Sequence, residues 1–234
     1  MLASILKFTK FLLLKMKHII LYTFLLSLCF PIFAYDFQVD ALCYTITDDS
    51  PRSRTVKLTN VDYNSIYHDL HIPEIVMHND NLYKVTSIGD YAFLYNKNIT
   101  NIFLPNSIIK IGISAFAYSS IYTIFIPCSI LQINRWAFYG CEDLEYIYCE
   151  ATTPPKIEKK IFSKTDKAIE LYVPSASIEN YQAAKYWRDI NIILPIENTD
   201  ILRLKEHQIE LTDTIEKNQE GHLIYLPINP NVAY

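Results

Sequence analysis

Two short phrases recur in step along residues 85–174, and nothing else in this 234-residue chain constrains its fold as tightly. The first runs Ile88-Gly89-Asp90-Tyr91-Ala92-Phe93, then Ile111-Gly112-Ile113-Ser114-Ala115-Phe116, then Ile133-Asn134-Arg135-Trp136-Ala137-Phe138. A degenerate fourth copy is Ile157-Glu158-Lys159-Lys160-Ile161-Phe162, and the leading isoleucines are spaced 23, 22 and 24 residues apart. The second phrase is Ile99-x-x-Ile102-x-Leu104-Pro105, then Ile121-x-x-Ile124-x-Ile126-Pro127, then Leu144-x-x-Ile147-x-Cys149, then Ala168-x-x-Leu171-x-Val173-Pro174. Chance does not hold two apolar phrases in register over four copies. A unit this short cannot bury its own apolar side, so successive copies must stack and share one core.

A period of 20–29 residues carrying Leu-x-x-Leu-x-Leu describes a leucine-rich repeat. The spacing therefore predicts a mainly β chain: a short right-handed solenoid of about 22–24 residues per coil. Strand alternation turns Ile102 and Leu104 inward and Phe103 outward. Pro105, Pro127 and Pro174 end their strands, because proline cannot extend a ladder. The Ala-Phe pair offers a small residue for a corner and a large one to fill the coil. Gly89, Gly112 and Asn134 share one position, which suggests a turn with positive φ.

The phrase Val85-Thr86-Ser87-Ile88-Gly89-x-x-Ala92-Phe93, followed by Leu104-Pro105-Asn106-Ser107-Ile108, resembles the BspA-type leucine-rich repeat family. Tyr35 through Ile46 resembles the strand that opens mature members, and Leu171-Tyr172-Val173-Pro174 through Tyr181 and Trp187 resembles the closing helix. The resemblance covers residues 35–195. It implies a secreted or surface protein of the adhesion or protein-binding kind. The chain departs from it in its few repeats and in a tail, 196–234, that the family does not explain.

Residues 1–34 carry Lys7, Lys10, Lys15 and Lys17, no acid, and an apolar run from Ile19 to Phe33. That order describes a secretory signal peptide, with cleavage expected after Ala34 and Met16 as a second candidate start. The run is short of the ~20 residues of a membrane span. Membrane association then requires an uncleaved leader or acylation of Cys29, against which stand the bulky Leu28 and the apolar Phe30-Pro31-Ile32-Phe33. Losing four lysines and no acid moves the formal net charge from −4 to −8. Nucleic acid, which needs a basic face, is excluded as a partner.

Residues 35–84 read as a β cap with a first irregular repeat, its strands at Phe37–Ile46, Thr55–Leu58, Asp69–Ile72 and Leu82–Val85. Residues 175–195 read as a capping helix and strand, with Ser177 as N-cap and Tyr181, Ala184, Trp187 and Ile190 on one face. The tail carries 7 acids against 3 bases, yet Leu223-Ile224-Tyr225-Leu226 is apolar.

Four glycines in the whole chain exclude every glycine-cradled phosphate site. No cofactor, metal or catalytic group is expected. Cys43, Cys128, Cys141 and Cys149 are read as packed thiols, with one of three disulfide pairings as the alternative. His68, His71 and His78 lack a zinc motif and are read as strand and loop side chains. The 18 tyrosines and 12 phenylalanines are another matter, because some are ordered. Phe103, Phe125, Tyr148 and Tyr172 share the outward strand position, with His71 one rung before them. Asn101, Thr123, Tyr146 and Glu170 form the column beside it. In a leucine-rich repeat these positions line the concave sheet. Phe103, Phe125, Tyr148, Tyr172 and Tyr146 are the expected ligand contacts, and the partner is a protein or glycan on a host or neighbouring cell surface. Self-stacking of the column and coverage by the tail are the alternatives, as is a structural or accessory module, or a fragment of a larger surface protein, with no ligand of its own.

Overall fold

The repeat dictates where strands form, and the computed structural model places them there. It describes residues 35–62, 68–158, 161–165 and 168–196, with two further strands at 215–217 and 223–225. The leader and most of the tail lie outside the described residues, and with them the expectations of a cleaved signal peptide and of an acylated Cys29.

The amino-terminal part is antiparallel. β1 (Phe37–Val39) pairs with β2 (Leu42–Asp48), and β2 with β3 (Thr55–Val61). The sequence suggests one strand over Phe37–Ile46. Asp40 instead adopts φ 50° and folds it into a hairpin, a conformation that Asp tolerates better than most residues. After β4 (Asp69–His71), β5 (Ile75–His78) and β6 (Asn81–Ile88) form a second hairpin. Asn79 and Asp80, both at positive φ, make its turn, as the twist of paired strands requires. β5 is a strand that the sequence pattern does not announce.

Each later repeat contributes two short strands, one to each of two sheets. The first sheet continues from β3 and β6 through β8 (Lys110–Ile111), β10 (Gln132–Ile133) and β12 (Lys156–Ile157), all parallel. The second is parallel throughout: β4, β7 (Asn101–Phe103), β9 (Thr123–Ile126), β11 (Tyr146–Cys149), β13 (Glu170–Val173) and β14 (Ile192–Pro195). The register is that of the sequence columns: Leu70, Ile102, Ile124, Ile147, Leu171 and Ile193 are neighbours across it.

Leu58, Ile88, Ile111, Ile133 and Ile157 meet Ile102, Leu104, Ile124, Ile126, Ile147 and Cys149 in one core. Between them, Phe93, Phe116, Phe138 and Phe162 form a second, interior ring stack, with centroids 5.0, 5.4 and 5.7 Å apart. The Ala-Phe phrase thus supplies the filling that the sequence assigns to it.

The shared glycine position does not have positive φ. Gly89, Gly112 and Asn134 instead donate their N–H groups to the Leu58, Ile88 and Ile111 carbonyls of the preceding rung. Glycine is required there for close approach. A Cβ on Gly112 would stand 2.5 Å from the Gly89 carbonyl carbon, and one on Gly89 would stand 2.8 Å from the Leu58 oxygen.

The only α-helix among the described residues is α1 (Ile178–Ala183), shorter than the helical spacing suggests. Ser177 makes no side-chain cap bond. Ala184 turns extended and Tyr186 takes φ 70°, so Trp187 reaches the core from a separate 3₁₀ turn. Both large side chains are anchored by hydrogen bonds: Tyr181 Oη donates to the Ala151 carbonyl at 2.8 Å and Trp187 Nε1 to that of Pro155 at 2.8 Å.

All four cysteines of the described residues are free thiols. Cys43, Cys141 and Cys149 are buried, and burial pushes the Cys149 thiol up to about 11. Cys128 departs from the packed-thiol reading: it is exposed, its Sγ 3.8 Å from Asn106 Oδ1. A maleimide applied to the native protein at pH 8 is expected to label Cys128 within minutes, and Cys141 and Cys149 only in denaturant. Peptide mapping checks this, and rapid native labelling of Cys149 would contradict the packing described.

Candidate functional site

The second sheet brings one ring per rung to the outward position. His71 lies opposite Phe103, Phe103 opposite Phe125, Phe125 opposite Tyr148, and Tyr148 opposite Tyr172. Ring centroids are 4.0, 4.4, 4.9 and 4.7 Å apart in that order, with planes within 4–20° of each other. The spacing is that of the strands themselves, so each ring lies on the next like cards in a deck.

That stacking changes what the column presents. The sequence suggests an exposed aromatic ridge. Phe103, held between His71 and Phe125, is only 7% exposed, and Phe125, Tyr148 and Tyr172 are half-buried. Ring faces are turned to one another, so the column presents ring edges and phenolic hydroxyls rather than faces. Each stacked pair also contributes about 0.5–1.5 kcal/mol beyond area burial.

The neighbouring column is polar and in register: Asp69, Asn101, Thr123, Tyr146 and Glu170. Asn101 Nδ2 donates to Asp69 Oδ1 at 2.6 Å, and Tyr172 Oη donates to Glu170 Oε2 at 2.7 Å. Tyr146 meets Tyr122 edge to face at 5.3 Å and leans on Tyr172 at 6.5 Å. Its hydroxyl bonds the Glu145 carboxylate and Tyr122, which together hold the phenol above the ordinary tyrosine range. The hydroxyl therefore stays a neutral donor at any physiological pH.

All five expected residues thus fall together: Phe103, Phe125, Tyr148 and Tyr172 in one stack, Tyr146 beside it. His71 extends the stack by one rung, as its phrase suggests. Two participants escape the sequence reading. Leu194 continues the outward column beyond Tyr172 on β14. Ile190-x-x-Ile193, 22 residues after Ala168-x-x-Leu171, is the signal that points to it. Tyr122, one place before β9, lies off both aligned columns.

Parallel rungs in a repeating register, with a ring at the outward position of five of them, define a repeat protein that presents one continuous sheet face. Six such rungs are present among the described residues, and the model of the BspA type leucine rich repeat region matches residues 59–192 in six copies. The chain belongs to the BspA-type leucine-rich repeat family. Among solved structures it is similar to a leucine-rich repeat protein from Bacteroides capillosus, with 27% identity over 59% of this chain and 98% of that one, TM-score 0.51. A leucine-rich repeat protein from Bacteroides ovatus is 25% identical over 68% of this chain and 41% of that one, TM-score 0.48. A leucine rich cell surface protein from Faecalibacterium prausnitzii is 17% identical over 69% and 55%, TM-score 0.41. No curated protein matches the chain.

Proposed function

We propose that this chain is an exported, non-enzymatic binding protein that recognises a protein partner on a host or neighbouring cell surface through its aromatic ladder. Export rests on the basic and apolar leader, and the formal charge of −8 left after its removal argues against nucleic acid. The successive parallel pairings support one right-handed solenoid, its concave face carrying the ladder. Residues 35–84 and 175–195 cover its ends.

The observation that carries the reading is the orientation of the rings. A sugar stacks on aromatic faces, and here His71, Phe103, Phe125, Tyr148 and Tyr172 give their faces to each other. Edges and hydroxyls suit the side chains of a protein, because an edge meets another ring's face in the favourable T-shaped arrangement. The polar column from Asp69 to Glu170 would form the rim of such a contact.

The test is the double substitution Phe125→Ser with Tyr148→Ser, assayed for adhesion to immobilised host surface proteins and for thermal stability. Loss of central aromatic anchors is expected to weaken binding about 30-fold, equivalent to ~2 kcal/mol. A folded double variant with unchanged adhesion removes the ladder from recognition. The close stacking also favours a second reading, an accessory module whose ladder only stiffens its sheet. That reading predicts a lower melting temperature and no lost partner.

A further inference from the structure

On the turns between the two sheets, the backbone repeats a strained conformation, and large aromatic side chains occupy it. Tyr91, Ser114 and Trp136 share one repeat position, at φ 62°, 50° and 59°. Tyr95, Tyr118, Gly140 and Lys164 share another, at φ 59°, 57°, 69° and 61°. The conformation is imposed from outside the residue. Tyr91 donates its N–H to the Ile113 carbonyl, Tyr95 to that of Ala117, Tyr118 to that of Tyr139 and Gly140 to that of Ser163. The left-handed region strains a bulky L-residue and suits glycine or asparagine. Gly140 shows the unstrained choice at the second position within this same chain.

Three of the aromatics receive little burial in return. Tyr95 is 60% exposed, Tyr91 47% and Trp136 39%. Tyr118 stacks on one side of Tyr95, at 5.0 Å and 13°, and Tyr95 still stands well out in solvent. Gly140 makes room for that stack, since a Cβ there would lie 2.6 Å from the Tyr118 ring. Trp136 carries the Arg135 guanidinium over its ring at 4.8 Å, and Lys164 Nζ stands 5.4 Å from the Tyr139 centroid. Each of Tyr95 and Trp136 thus has a partner on one face, Tyr118 and Arg135 respectively, and both rings remain exposed. Strained residues of this kind cluster at ligand-contacting sites, and here neither core packing nor backbone freedom calls for an aromatic side chain.

We propose that Tyr91, Tyr95 and Trp136 form a second binding surface, on the turns, that takes a neutral glycan chain. The exposed side of each ring matches the apolar C–H face of a pyranose. The surrounding side chains carry both signs: Lys97, Arg135 and Lys164 with Glu142 and Asp143, all exposed on the same turns. Donors and acceptors together suit hydroxyl groups and give no preference to a charged sugar. This surface is separate from the strand ladder and does not depend on the reading given for it.

The chain has two tryptophans, and Trp187 is buried, so a ligand-induced change in emission reports Trp136. The full chain is titrated with cellohexaose, laminarihexaose and mannohexaose, and with a tetragalacturonate as the acidic comparison. A saturable shift with at least one neutral hexasaccharide is expected. Tyr91→Asn with Tyr95→Asn should weaken it at least 10-fold without lowering the thermal midpoint, because asparagine accepts the left-handed backbone. The single change Tyr95→Gly should behave likewise. No response to any neutral sugar at millimolar concentration overturns the proposal, as does a response to the galacturonate alone. Unchanged affinity in the double variant also overturns it. So does a lowered midpoint in both variants, which would assign the aromatics to the fold.

Discussion

Replacing Phe116 by alanine is expected to remove about 3–5 kcal/mol of stability, the usual range for a fully buried phenylalanine. Phe116 has no exposed surface and stacks between Phe93 at 5.0 Å and Phe138 at 5.4 Å. The cavity cannot close by a shift of one neighbour, because the backbone on both sides is pinned: Phe93 N–H bonds the Ala115 carbonyl and Phe116 N–H that of Ala137. In a repeat array stability is a sum of units and their interfaces, and this position serves two interfaces at once. Urea unfolding measures the loss. Phe162→Ala, at the half-buried end of the same stack, should cost clearly less. Equal losses would show that the interior stack is not the coupling element described.

Gly112→Ala is expected to cost about 3 kcal/mol, the upper end of what overpacking does to a tight site. The added methyl would lie 2.5 Å from the Gly89 carbonyl carbon and 2.6 Å from the Asp90 nitrogen. Neither atom is the loose end of a side chain. Gly112 N–H is bonded to the Ile88 carbonyl, and Asp90 Oδ1 accepts from Ile113 N–H at 2.7 Å. The two rungs must move apart, and these bonds oppose it. Gly89→Ala, whose nearest clash is 2.8 Å, should be milder. Thermal and urea unfolding of both variants decide the order, and a neutral Gly112→Ala would refute the close-approach account.

The repeat made most of the architecture legible, because a period constrains many residues at once. Ile102, Leu104 and Cys149 are inward as alternation requires, and the outward aromatics pair in the register read from the phrases. What stayed hidden depends on contacts between rungs. Residue type assigns left-handed backbone to Gly89 and Gly112, yet inter-rung hydrogen bonds place it at Tyr91, Tyr95 and Tyr118, where type argues against it. Which way a ring faces is equally invisible to a pattern. Strand spacing sets Phe103 face-on to Phe125, so the exposed ridge became a deck of edges. At the carboxyl end, Trp187 at a helical interval from Tyr181 predicts a continuous helix. The left-handed Tyr186 breaks it and still delivers the indole to the Pro155 carbonyl.

The turns, like the strands, are bonded rung to rung: Phe93 to Ala115, Phe116 to Ala137, Phe138 to Ile161. No part of a repeat is therefore indifferent to the length of its neighbour. Gain or loss of a few residues inside a repeat shifts strand and turn ladders against each other, whereas a whole unit of 22–24 residues keeps the two ladders in register. A lineage of such chains can lengthen or shorten only in whole repeats, and the breadth of its ladder of rings is set by how many of them it keeps.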